Sequence, residues 1–257
     1  MSATVVAAIA ENTLRESVRN KIAYALLFFA IVMIGSGAIV SSLSYVESNR
    51  ILQDVGLAAI RLFGVAIAIF VGIQIVYREV ERRTVYTILS KPISRAQFLV
   101  GKFAGLTLTI WLQAACMGAA FAVVSFASGA PLAWQHLAFG LLVGVELALV
   151  VALATLFSSF TTPMLAAFFT TGFWAVGQLT RELRDLGAAS GQPALKLVTA
   201  VAFRVLPDLQ SFDLATEAAH GLPLTASDVL LPLAYGFGYT TIVLLVAVAI
   251  FERRDFR

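Results

Sequence analysis

Long apolar runs, cut by shorter polar intervals, set the pattern of this chain. Runs over residues 22–44, 56–77, 103–125, 136–158, 164–180 and 233–251 predict six membrane-spanning helices, because a helix needs roughly 20 residues to cross the hydrocarbon layer. The fifth run is short for a full crossing. Ahead of them, residues 3–20 read as an amphipathic helix lying along the membrane surface within an interfacial segment 1–21. Val6, Ile9, Thr13 and Leu14 line one side of it, and Glu11, Arg15, Glu16 and Arg19 the other. Residues 45–55 are expected to be a short polar loop. Thr162 and Pro163 mark a helix start, as N-cap and first helical residue.

Two polar intervals stand out. In residues 78–102, Val80, Thr84, Val85, Ile88 and Leu89 recur at helical steps and form one stripe, while Arg78, Glu79, Glu81, Arg82 and Arg83 fall largely off it. Pro92 stops that helix by driving the residue before it out of the α region. Ser94, with Gln97 three residues on, is a capping box that starts the next helix. The segment therefore reads as helix, break and restart between two apolar spans, a shape suited to a groove on a partner protein. The other interval, residues 181–232, contains an apolar patch at 195–206 and is divided by Pro207, Pro223 and Pro232. It is expected to be a partly re-entrant hairpin on the outer rim.

Composition turns this pattern into a class. The chain is 60% hydrophobic and 13% charged, with a mean hydropathy of +0.89, whereas soluble domains carry about 25% charged residues. The expected fold is all-α, a polytopic membrane protein in one transmembrane domain over residues 1–257. The basic residues set the topology. Placing both termini and the central stretch inside assigns Arg15, Arg19, Lys21, Arg78, Arg82, Arg83, Lys91, Arg95, Lys102, Arg253, Arg254 and Arg257 to the cytoplasm. Arg50, Arg61, Arg181, Arg184, Lys196 and Arg204 remain on the far side, a two-to-one excess that fits the positive-inside rule.

Catalytic chemistry is sparse. Gly101-Lys102 is followed by Phe103 with no Gly-rich phosphate loop before it, so no Walker motif is present. The two histidines, His136 and His220, sit at or beyond span ends, away from any triad. Asp213, Glu217 and His220 form at most half of a metal site, so no metal centre is expected. The single cysteine, Cys116, reads as a small buried packing residue. Arg61, one turn inside its span, is expected to snorkel to the headgroups. Glu146 lies near the middle of the fourth span, where an ionised carboxylate must face protein or water. It is therefore a candidate for a translocation path together with Gln74 and Gln113, or else a helix-packing glutamate. Gly101-x-x-x-Gly105 and Gly140-x-x-x-Gly144 allow close helix approach, for packing within the chain or for a dimer seam.

The string REVERRTVYTILSKPISRAQFLVGK resembles the cytoplasmic loop of permease subunits of type-2 ABC exporters. In those proteins a Glu-bearing helix, a Thr, a Leu-Ser-x-Pro turn and a Ser/Thr-Arg restart precede a Gly-Lys. Glu79, Thr84, Leu89, Ser90, Pro92, Ser94, Arg95, Gly101 and Lys102 match, with Arg83 standing where many members carry glycine. ENTLRESVRNK is similar to the family's N-terminal helix and FERRDF to its closing tag. LPDLQSFDLATEAAHG resembles the outer segment of the branch that includes permeases for copper-enzyme maturation and gliding machinery.

The resemblance implies a half-transporter in a bacterial inner membrane, paired as a homodimer or with a related permease. It would bind two separate ATPase subunits, which carry the ATP and Mg; no cofactor is expected in this chain. Residues 78–102 would be the coupling helix, with Glu79, Glu81, Arg82, Thr84, Val85, Ile88, Leu89, Ser90, Pro92 and Arg95 facing the ATPase. The competing readings are a membrane-embedded lipid-modifying enzyme, which would need Asp, His or Ser clustered at one depth, and a membrane scaffold without transport. Co-purification of an ATPase separates the enzyme from the other two.

Overall fold

The structure is a computed structural model that describes residues 3–43, 48–81, 94–189, 196–201 and 206–253; the side chains of residues 3, 75–81 and 188 are not among the described ones. Every described element is helical: α1 (Ala3–Val18), α2 (Lys21–Ser41), α3 (Ser48–Glu81), α4 (Arg95–Ala127), α5 (Trp134–Phe160), α6 (Pro163–Gln178), α7 (Thr180–Ala189), a 3-10 turn (Leu209–Phe212), α8 (Ala215–His220) and α9 (Ala226–Arg253). A short helical stretch also covers residues 196–201. Five of these helices, α2, α3, α4, α5 and α9, are long and apolar enough to cross a membrane. The fifth expected span, α6, has only 16 residues.

Burial ranks the spans. The apolar windows of α3 and α5 are 67% and 78% buried, against 22–28% for α2, α4 and α9. The bundle is therefore built around α3 packed on α5, with α2 beside α3, α9 beside α5, and α1 laid on α4. The exposed sides of the peripheral helices carry large apolar residues such as Phe28, Phe29, Leu112, Val123, Ile242 and Leu245, as lipid-facing surfaces require. Cys116 lies on such a surface and is exposed, so it is not the buried packing residue its apolar surroundings suggest. Periodicity alone does not say which side of an all-apolar helix meets protein.

Several helix ends follow from their caps. The Ser94 hydroxyl accepts from Gln97 N while the Gln97 side chain accepts from Ser94 N, forming the expected capping box. Thr162 and Pro163 start α6 as the sequence suggests. Asn20 caps α2 by accepting from Ile22 N, and its Nδ2 donates to Gln74 Oε1 at 2.7 Å.

Two boundaries differ from expectation. The polar residues expected to form a loop from 45 to 55 are helical from Ser48 onwards. Leu52 and Gln53 are buried there, and Gln53 Nε2 donates to Pro131 O at 2.9 Å, so the turn between α4 and α5 solvates this polar helix start. Pro232 lies inside α9 rather than bounding it. Near the start of a helix the lost N–H costs one bond at most, and the Thr225–Asp228 pair starts the helix instead, with Thr225 N donating to Asp228 Oδ2 at 2.8 Å.

The two glycine pairs have different fates. A β-carbon on Gly105 would stand 2.5 Å from Ala10 O and 2.6 Å from Thr13 Cβ, and one on Gly101 2.8 Å from Ile9. This pair therefore serves close packing within the chain, where the small-residue side of α1 (Ala10, Thr13, Ser17) presses on α4. A β-carbon on Gly140 would meet open space, while one on Gly144 would stand 3.6 Å from Trp111 Nε1 of α4, which donates to Gly144 O at 2.8 Å. Gly105→Val is expected to cost about 1–3 kcal/mol through overpacking and to raise hydrogen exchange in residues 3–18. Gly140→Ala should hold or slightly raise the thermal midpoint and leave the exchange pattern unchanged.

Candidate functional site

The alternation of the helices gives the bundle two ends. One, the loop face, holds the end of α3, the start of α4 and the end of α9. The other, the far face, holds the α4–α5 turn and the segment from 206 to 225. A polar centre lies toward each end.

Toward the far face, Arg61 on α3 and Glu146 on α5 meet inside the bundle. Their side chains are 12% and 0% exposed. Arg61 Nε donates to Glu146 Oε2 at 2.8 Å, and Nη2 donates to Glu146 Oε1 at 3.2 Å, a bidentate pair. Nη2 also reaches Gln178 Oε1 at 3.0 Å and Leu209 O at 3.1 Å, and Nη1 bonds and ion-pairs with Asp213 Oδ2. Glu146 Oε1 is completed by Trp174 Nε1 and Gln178 Nε2, each at 3.0 Å. Asp213 is held in turn by Ala215 N, which donates to its Oδ1 at 3.0 Å.

The local sequence places each member. Gln178 and Trp174 sit one turn apart at the end of α6. Asp213 closes the 3-10 turn whose Leu209 and Phe212 are fully buried, so the hydrophobic anchor delivers the carboxylate to Arg61. Two carboxylates share one guanidinium, and Asp213, at 36% exposure, is the one open to water. Beside it is a cavity of about 710 Å³ bordered by Asp208, Asp213, Glu217, Asp228, Tyr235 and Tyr239. Arg181 on its wall is paired to Asp208 at 3.0 Å.

This corrects the expectation that Arg61 snorkels outward: its guanidinium turns into the bundle. Asp213 precedes α8 and faces Arg61, so it does not join Glu217 and His220 on one helix face. Glu146 is buried as expected, but its partners are Arg61, Trp174 and Gln178. Gln74 lies toward the loop face on Asn20, and Gln113 Oε1 is buried without a hydrogen-bond partner. Trp174 and Gln178 escaped the sequence reading, which placed Asp213 only in half of a metal site. One signal was available for Arg61: two opposite charges inside apolar spans are best satisfied by each other.

At the loop face, α4 begins with Arg95, whose Nη1 donates to Glu252 O at 3.0 Å and Phe251 O at 3.3 Å on the last turn of α9. The rings of Phe98 and Phe251 stack with centroids 6.2 Å apart, and Leu99 and Ala247 close a small core around them. Lys102, 2% exposed, has its Nζ 3.6 Å from Glu16 of α1 and 5.9 Å above the Phe98 ring. Glu79 and Glu81 belong to the last turns of α3. Arg82, Thr84, Val85, Ile88, Leu89, Ser90 and Pro92 lie outside the described residues.

A multi-pass helical bundle pinned by a buried ion network and joined at one face to an amphipathic N-terminal helix defines a membrane protein with two distinct ends. The chain matches the family model described as ABC-2 family transporter protein over residues 7–256, and it belongs to that family. It is thus a permease subunit of an ABC transporter, the membrane component that works with an ABC ATPase. No curated protein matches the chain.

The ion network predicts its own energetics. Arg61→Met strands a buried carboxylate and is expected to destabilise the folded permease by about 3–5 kcal/mol. The double variant Arg61→Met with Glu146→Leu should recover much of that loss. Thermal midpoints in detergent, arranged as a double-mutant cycle, measure the coupling. Additive losses would show that the pair does not act as a unit.

Proposed function

We propose that this chain is half of an exporter, a six-span permease whose loop face is cytoplasmic and whose residues 78–102 seat in a groove of a separate ATPase. The fifth of the six spans in this reading is α6, and residues 181–232 form the partly re-entrant hairpin on the outer rim. The exposed Leu197, Val198 and Val201 suit a segment that rests in the membrane surface. Two permease chains, identical or related, and two ATPases complete the transporter in a bacterial inner membrane. ATP and Mg reside on the ATPase.

The observation that carries this reading is the convergence of the chain at one face. Asn20 with Gln74, Lys102 with Glu16, and Arg95 with the end of α9 bring α1, α3, α4 and α9 together on either side of the coupling segment. In this reading the basic excess counted along the sequence falls on that same face. ATP-driven closure of the motors would push the segment and rock the spans between two packings. Val85, Ile88 and Leu89 supply apolar contact, and Glu79, Glu81, Arg82, Thr84, Ser90 and Pro92 set its charge and shape.

Glu146, Gln74 and Gln113 mark the wall of the route in this reading. Glu146 holds its outer part shut through Arg61, and Gln113 offers a buried carbonyl oxygen inside the bundle.

Charge reversal at both Glu79 and Arg82, or Leu89→Asp alone, is expected to abolish co-purification of the ATPase while the permease still inserts at wild-type levels. Retention of the ATPase in both variants would remove the coupling assignment. Cysteine labelling of residues 78–102 from outside intact cells would remove the topology.

A further inference from the structure

We infer that α9 is the rod that carries motion from the coupling segment to the ion network at the opposite end of the bundle, gripped at one end by Arg95 and seated at the other by Gly236. The inference rests on the permease reading for its motor; its geometry stands apart from that reading.

The grip is at the loop face. The last four carbonyls of a helix have no partner within it, and Arg95 supplies donors to two of these in α9, at Phe251 and Glu252. A guanidinium there is also favoured by the negative end of the helix dipole. The contact is reinforced by the Phe98–Phe251 stack, with ring planes only 15° apart, and by the fully buried Leu99 and Ala247. Arg95 is the first residue of α4, one position after the capping Ser94. A push on the segment before it therefore reaches α9 before it crosses any flexible connection. Arg95 is thus a positioning residue, turned toward α9 where the loop pattern alone suggests the ATPase.

The seat is at the other end. Gly236 of α9 is buried, and a β-carbon there would overlap Val145 and stand 2.9 Å from the ring of Phe212. Val145 precedes Glu146, and Phe212 precedes Asp213. The backbone of α9 thus rests directly on the two residues whose neighbours share Arg61. Between grip and seat, α9 is one helix, with Thr240, Val243 and Ala247 buried along the inward side. A shift of this helix along or about its axis displaces Phe212 and Val145 together, and so loads the Asp213–Arg61–Glu146 bonds. Asp213, the more exposed carboxylate, is the one positioned to release.

The test uses the full chain in lipid nanodiscs and hydrogen exchange read by mass spectrometry. Arg95→Gln is expected to speed exchange of residues 209–220 severalfold, although they lie at the opposite end of the bundle. Arg95→Lys, which restores a cationic donor, should return exchange toward wild type. Gly236→Ala should disturb residues 209–220 while leaving 95–102 as in wild type. An effect of Arg95→Gln confined to residues 95–102 and 247–253 would overturn the inference.

A second arm uses the complex purified with its ATPase. ATP with vanadate should alter exchange at 209–220 in wild type, and Arg95→Gln should lose that response with the ATPase still bound. Release of the ATPase by Arg95→Gln would make Arg95 a docking contact and overturn its role as grip. If wild-type permease brings down no ATPase, the functional reading fails, and the first arm alone decides the rod.

Discussion

A guanidinium and a carboxylate that must meet inside an apolar bundle constrain everything around them. In hydrocarbon neither Arg61 nor Glu146 is tolerated ionised without the other, and the bidentate geometry leaves little freedom in how α3 faces α5. Once that pair is set, its spare hydrogen-bonding capacity recruits the rest. Glu146 Oε1 accepts from Trp174 and Gln178 at the end of α6, and Arg61 reaches out to Leu209 O and Asp213. Three helices and the far-face segment are thereby tied to one charged centre. The surrounding apolar contacts are far less directional, so they fill the space that these bonds define.

The ends of the bundle divide the remaining work. At the loop face the connections are short-range and mixed in kind: an arginine on helix carbonyls, an aromatic stack, and a lysine whose stem is buried while its ammonium nears Glu16. Glycine removes the side chains that would keep α1 from α4. Such packing holds helix ends as a unit, which suits a surface that receives force. At the far face the network is ionic and partly open to water through Asp213, which suits a contact that exchanges partners. In the proposed reading a permease needs both properties, a firm handle and a releasable closure, and the two ends would supply them from different chemistry.

By itself the sequence determined the class. Apolar runs long enough to span and too few charges for a soluble surface follow from transfer energies residue by residue, so they are legible without a fold. Local signals were equally readable: the Ser94–Gln97 capping box and the Thr162–Pro163 start act over three residues and appear as expected. The pattern over residues 78–102 pointed to the family whose model matches residues 7–256.

What required the tertiary structure was every partnership across the chain. Arg61 and Glu146 are 85 residues apart and Arg61 and Asp213 152 apart, and no periodicity encodes which of several buried polar groups will meet. The same holds for Cys116, exposed on a helix whose every face looks apolar, and for Gly140, whose spacing matches Gly101 but which nothing approaches. Hydropathy reports how strongly a residue avoids water. In a membrane, lipid and protein satisfy that avoidance equally, so only the packing of helices decides which residues face each other.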